Sequence, residues 1–133
     1  MELEQLTDGI LEAAMKVHTH LGPGMLENVY HACLRHELLK RGYTIESEVW
    51  LPVLYEDLRI EGAFKADLIV NDLVVVELKA VEKILAVHKA QLLSYLKMSG
   101  KPVGLLLNFN VVHLREGISR LWLRHGQSAG AGH

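Results

Sequence analysis

Apolar residues recur at helical spacing over 4–21, where Leu6, Ile10, Leu11, Ala14, Val17 and Leu21 share a face. The pattern predicts a helix with Thr7 or Asp8 as a cap near its start and Gly22-Pro23-Gly24 as its breaker. A second stripe, Leu26, Val29, Tyr30, Cys33, Leu34 and Leu38, predicts a helix over 25–40 that Arg41-Gly42 ends. After Tyr43 the period changes. Residues 44–55 are rich in Val, Ile, Tyr and Trp and read as extended chain, with Pro52 marking an edge or a bend. A turn at Glu56-Asp57 leads to a short strand over 58–61. Residues 64–70 alternate, with Phe64, Ala66, Leu68 and Val70 facing one way and Lys65, Asp67 and Ile69 the other. Asn71-Asp72 is turn chemistry, and 73–78 is nearly all apolar, as expected of a central strand covered on both faces. A helix over 84–99, a buried strand over 103–109 and an edge strand over 118–123 follow. The order α-α-β-β-β-β-α-β-β predicts one α/β or α+β domain over 1–124, with 125–133 as a flexible tail.

Composition narrows the class. At 133 residues, 50% apolar and 23% charged, the chain suits one compact domain and is too apolar for a disordered one. No window offers the ~18 uninterrupted apolar residues that a spanning helix needs, so no membrane association is expected. The start Met1-Glu-Leu-Glu-Gln5 is acidic where an export signal is basic. Cys33 is alone, which excludes an intrachain disulfide and a four-thiolate zinc or iron–sulfur site. The reducing cytoplasm is the expected compartment.

Charge is lopsided although the net is −2. Residues 1–77 carry 6 Lys/Arg against 14 Asp/Glu, and residues 78–133 carry 8 against 2. This is either ordinary surface variation or a basic face for phosphates beside an acidic cluster that holds a cation, and charge alone does not choose.

The chemistry concentrates in Lys65-Ala-Asp67 and Val76-Glu77-Leu78-Lys79. Glu77 and Lys79 lie two apart on a strand and leave the same face, yet the strand is otherwise among the most hydrophobic in the chain. Such charges are costly there unless paired, hydrogen-bonded or bound to metal. A three-residue loop at 71–73 would pair Val70 with Val74 and set Asp67 opposite Glu77, whereas a two-residue loop at 71–72 would put the two carboxylates on opposite faces. The sequence leaves both open. Adjacent carboxylates suit Mg²⁺ or Mn²⁺, which accept phosphate oxygens and lower the pKa of water. Lys79 could then orient that water or neutralise the phosphate. The bland alternative is a surface cluster of weak ion pairs.

Asp67…Glu77-Leu78-Lys79 resembles the signature of the PD-(D/E)xK nuclease superfamily. Gly24-Met-Leu-Glu27-Asn-Val-Tyr30 is similar to the motif of the small bacterial GxxExxY proteins, and Gln91-Leu-Leu-Ser-Tyr95 to the QxxxY motif of RecB-type nucleases. The resemblance spans about 6–123, and it departs from many members in having Ala66 where proline precedes the aspartate. It implies a restriction-endonuclease-like α/β core, a mixed central β-sheet flanked by α-helices. It also implies hydrolysis of nucleic-acid phosphodiesters with Mg²⁺ or Mn²⁺, DNA being favoured over RNA. Asp67, Glu77 and Glu27 would ligate the metal, Lys79 would activate water, and Gln91 and Tyr95 would order the substrate. Lys83, Lys89, Lys97 and Lys101 are candidate phosphate contacts.

Blander readings stand beside these. Glu27 also suits the first turn of a helix by its charge, Tyr30 reads as a core residue with a satisfied hydroxyl, and Gln91 and Tyr95 could satisfy each other. The eight histidines, His18 and His88 among them, lack chelating spacing and read as structural or surface residues. The alternative function is a non-catalytic module that keeps the nuclease fold and works as a homodimer or with a protein partner.

Overall fold

A computed structural model describes residues 2–123 and 130–132. The chain opens with α1 (Leu3–Leu21) and α2 (Glu27–Lys40) and continues into β1 (Ile45–Tyr55), β2 (Leu58–Val70) and β3 (Val74–Lys79). Helix α3 (Ala86–Ser99) crosses over to β4 (Val103–Asn108), and a 3-10 turn at Leu114–Gly117 leads to β5 (Ile118–Trp122). The short β6 (Gly130–Gly132) pairs with β5. The strands lie side by side in chain order, all antiparallel except β3 with β4. A parallel pair needs a crossover of a dozen residues or more, and α3 supplies it. This is the mixed, helix-flanked α/β architecture that the sequence predicts.

Local chemistry explains the elements and three departures from the sequence reading. First, α1 begins at Leu3 with Glu2 and Gln5 at its cap, so Thr7 lies inside the helix, where its hydroxyl donates to the Glu4 carbonyl. Second, the strands expected at 58–61 and 64–70 are one strand, because Gly62 takes a positive φ of 63° and lets the chain pass a bulge opposite Pro52 without leaving the sheet. Third, the stretch expected to be an edge at 118–123 is flanked by β6, and β1 holds an outer position. The remaining tail residues, 125–129 and 133, lie outside the described residues.

The sheet separates two cores. Leu68, Val70, Val74, Val76, Leu105 and Leu107 pack beneath α1 and α2. Ile69, Val75 and Leu106 pack beneath Leu92, Tyr95 and Leu96 of α3. Strand β3 is buried on both faces, as its apolar run requires.

The alternation read across 64–70 breaks at Asp67. Phe64 and Ala66 join the α3 core while Leu68 and Val70 join the other. Strand β1 exchanges faces at the same level: Ile45 packs toward α1 and α2, Val49 and Leu51 toward α3. The ladder passes from Ser47↔Leu68 to Val49↔Ala66, and Glu48 between them takes a φ of 53°. Both strands therefore turn over together at Glu48 and Asp67, which aims the Asp67 region at the gap between β2 and β3.

The far end of β4 is held by a close backbone approach. A Cβ on Gly117 would collide with the Asn108 carbonyl oxygen and press on Val111. Gly117→Ala is expected to cost about 2–3 kcal/mol in a urea melt, since backbone cannot give as a side-chain tip can.

Candidate active site

The loop of three residues, Asn71 to Leu73, decides the site. Asn71 and Asp72 take φ values of 50° and 58°, and the Asn71 carboxamide oxygen accepts from the backbone N–H (2.9 Å) and hydroxyl of Thr44. The resulting register, Val70↔Val74 through Leu68↔Val76, brings Asp67 opposite Glu77. There the main-chain ladder stops and the carboxylates replace it. The Asp67 backbone N–H donates to Glu77 Oε1 (3.1 Å), and the Leu78 N–H donates to Asp67 Oδ2 (2.8 Å). Each carboxylate accepts one backbone N–H from the other strand through one oxygen.

Glu77 is 6% exposed. Burial, then the Asp67 charge, push its carboxyl up to about 9, although the Asp67 backbone N–H and Lys79 pull the other way. Asp67 is half-buried, and so is Lys79, the next residue on the same face of β3. Lys79 stands in register with Asn108 of β4.

Helices α2 and α3 both pack against β3. Glu27 is the first residue of α2 and is exposed. Partial burial, then the Asp67 charge, raise its carboxyl, whereas Lys79, His31 and His88 lower it. Tyr95 of α3 is buried, and burial and then the Glu77 and Asp67 charges push its hydroxyl up to about 12, so it stays a proton donor. Its ring meets Phe64 edge-on at 4.5 Å. Gln91, one turn earlier, is exposed. His88 lies at the start of the same helix, where its Nδ1 accepts the Leu85 N–H (2.9 Å), so the neutral ring carries its proton on Nε2.

The other expected residues are dispersed. Lys83 and Lys89 lie beyond the end of β3 in one cleft. Lys97 is in the last turn of α3, and Lys101 pairs with Asp72 (2.6 Å) at the opposite end of β3. Tyr30 is fully buried, donates to the Gly22 carbonyl (2.6 Å), accepts from the Met25 N–H (3.1 Å) and stacks on Phe109 at 4.6 Å. It ties the turn before α2 to the core and so sets where Glu27 begins its helix. Tyr30→Phe leaves both turn groups without that partner and is expected to cost about 1–3 kcal/mol, measured by chemical denaturation. His18 is likewise structural, its Nε2 lying 2.8 Å from the Val111 carbonyl and 3.1 Å from that of Phe109.

Sequence reasoning missed Asn108. It is 2% exposed and donates to the Val81 carbonyl (2.9 Å) while accepting from the Val81 and Asn110 N–H groups. It fastens the chain just after Lys79. A lone amide closing the run Val103-Gly-Leu-Leu-Leu107 was the available signal.

Two hard oxygen donors set side by side fit a divalent cation of the Mg²⁺ or Mn²⁺ type, because the cation removes the repulsion that burial intensifies. Among the described residues no three His, Cys, Asp or Glu side chains converge to hold a metal, so Glu27 stands outside the immediate pair.

A mixed sheet that closes a carboxylate pair and a lysine at one end, with helices packed on both faces, is a restriction-endonuclease-like framework. The chain belongs to the PD-(D/E)XK nuclease superfamily, whose family model matches residues 4–121. No curated protein and no solved structure matches the chain significantly. Members of the superfamily are usually nucleases and generally use divalent metals such as Mg²⁺. Among the described residues no helix is long and apolar enough to cross a membrane.

Proposed function

We propose that this chain is a divalent-metal-dependent nuclease of the cytoplasm that hydrolyses phosphodiester bonds, with DNA favoured over RNA. The observation that carries the reading is the buried Glu77 set against Asp67, each accepting the other strand's backbone N–H. A pair so placed costs stability without a counter-charge and gives no packing benefit that leucine would not.

In this reading Asp67 and Glu77 would hold Mg²⁺ or Mn²⁺, with Glu27 adding negative charge from the start of α2. The bound cation supplies positive charge to the phosphodiester and acidity to water. Lys79, on the same face as Glu77, donates to the attacking water and to the charge that grows on the phosphoryl oxygens. Tyr95 keeps its proton and donates toward the substrate side, with Gln91 at the exposed edge. The Gly24-Met-Leu-Glu27-Asn-Val-Tyr30 motif acts as a unit: Tyr30 anchors the turn from which Glu27, whose carboxyl feels the Asp67 charge, begins its helix.

Purified protein is expected to cut labelled DNA in Mn²⁺ and to stop on addition of EDTA. Lys79→Met is expected to slow the cut by about 10²- to 10³-fold in kcat while Mn²⁺ still binds, since the lysine acts on the transition state rather than the ion. Loss of Mn²⁺ binding in Lys79→Met would contradict that role.

One feature favours the second reading, a non-catalytic module that associates with a second copy or a protein partner. The distal part of the β1–β2 hairpin exposes Leu54, Tyr55, Leu58 and Ile60. That reading leaves the costly carboxylate pair without a purpose.

A further inference from the structure

We infer that the cleft on the far side of the β3–α3 connection is a second, metal-free binding site for the phosphate backbone of the polynucleotide. The inference rests on the nuclease reading for the identity of the chain that lies there. The cleft has a volume of ≈ 600 Å³, and Lys83, Lys89 and Arg115 line it together with Ser119, Glu82 and Glu116.

Its three cations are unpaired and share one concavity, whereas Arg35, Lys79 and Lys97, which also form no ion pair among the described residues, do not line it. In the acidic first half of the chain Lys16, Lys40, Arg41, Arg59 and Lys65 are all engaged by carboxylates, and Lys101 is held by Asp72. Among the described residues Lys83, Lys89 and Arg115 form no ion pair, although Glu82 and Glu116 line the same cleft. Three cations brought to one concavity without internal partners repel one another, and an anion that bridges them relieves that cost.

The place of the cleft fits the same ligand. Asn108 lines it and also fastens Val81, two residues after Lys79, so one amide joins the end of the catalytic strand to the cleft. Lys89 belongs to the first turns of α3, the helix whose Tyr95 feels the charges of Glu77 and Asp67. A strand whose scissile phosphate lies at Asp67 and Glu77 reaches the cleft by crossing the 80–88 segment. A ligand limited to one phosphodiester does not. The site therefore recognises backbone charge at a distance from the reacting bond.

The test is fluorescence-anisotropy binding of a labelled 20-nucleotide DNA, single-stranded and as a duplex, in EDTA, so that binding is read without metal or turnover. The triple variant Lys83→Ala, Lys89→Ala, Arg115→Ala is expected to bind at least about tenfold more weakly. Its salt dependence is expected to flatten by about 2–3 in the slope of log K against log salt. Glu116→Lys is expected to bind more tightly, an effect that a merely structural role would not produce. Lys16→Ala with Lys40→Ala and Arg59→Ala, in the acidic first half, removes the same three charges and is expected to bind as wild type. Equal loss in that control, or unchanged binding in the triple variant, overturns the cleft. Cutting in Mn²⁺ is measured separately. Wild-type protein that cuts while the triple variant binds undiminished refutes the cleft and keeps the nuclease. Protein that binds through these residues but cuts nothing keeps the cleft and refutes the nuclease.

Discussion

Asp67→Asn is expected to remove Mn²⁺ binding and to reduce DNA cleavage by about 10³-fold or more, with little loss of fold. The substitution is chosen for what it preserves. An asparagine oxygen can still accept the Leu78 N–H that Asp67 Oδ2 accepts at 2.8 Å, so the junction of β2 and β3 keeps its hydrogen bond. Only the negative charge goes. Calorimetry with Mn²⁺ and a gel-based cleavage assay read the two effects separately, and a circular-dichroism melt checks the fold. Retained cleavage in Asp67→Asn would remove Asp67 from the chemistry.

The second large effect is in pH. Glu77 is held up to about 9 in the folded chain, chiefly by burial and then by Asp67, against an ordinary value of 4.5. Between those values the folded state keeps a proton that the unfolded state has released. Stability therefore falls as pH rises, with the contribution intact below about pH 4.5 and lost progressively toward 9. The slope contributed by one such proton is at most about 1.4 kcal/mol per pH unit. In EDTA, Tm is expected to fall by about 5 °C or more from pH 5 to pH 9. Glu77→Gln removes this slope, because the amide is neutral throughout and still accepts the Asp67 N–H. Saturating Mn²⁺ at pH 8 is expected to raise Tm in the wild type and to leave that of Glu77→Gln, which has lost none, unchanged. Differential scanning calorimetry across that range decides it, and a flat wild-type profile would contradict the assignment.

Much of this was legible in the sequence, for identifiable reasons. The helices announced themselves by periodicity and by their glycine and proline stops. The central strand was legible because Leu73–Leu78 is apolar at nearly every position. The meeting of Asp67 with Glu77 was a question of parity, and Asn71 and Asp72, two residues that tolerate positive φ, settle it as a three-residue loop.

What failed was the assignment of faces across Phe64–Val70. Both faces of this part of the sheet are covered, so an apolar residue is welcome on either. Alternation then carries no information about which face a residue takes, and the reversal at Glu48 and Asp67 leaves no mark in the pattern. Asn108 was illegible for a different reason. Its three hydrogen bonds go to backbone groups of residues 81 and 110, and a partnership with main chain has no signature in the partner's side chains. The cleft was half legible. Lys83 and Lys89 were visible as basic residues after the strand that carries Glu77 and Lys79, but Arg115 joins their cleft only through the fold.

The most direct test of the central claim is a time course of end-labelled DNA with wild-type protein in Mn²⁺, split at mid-reaction into EDTA, beside Asp67→Asn and Glu77→Gln. The account predicts product that accumulates only while Mn²⁺ is present and is absent from both variants. Product formed at the same rate in EDTA, or by either variant, would contradict it.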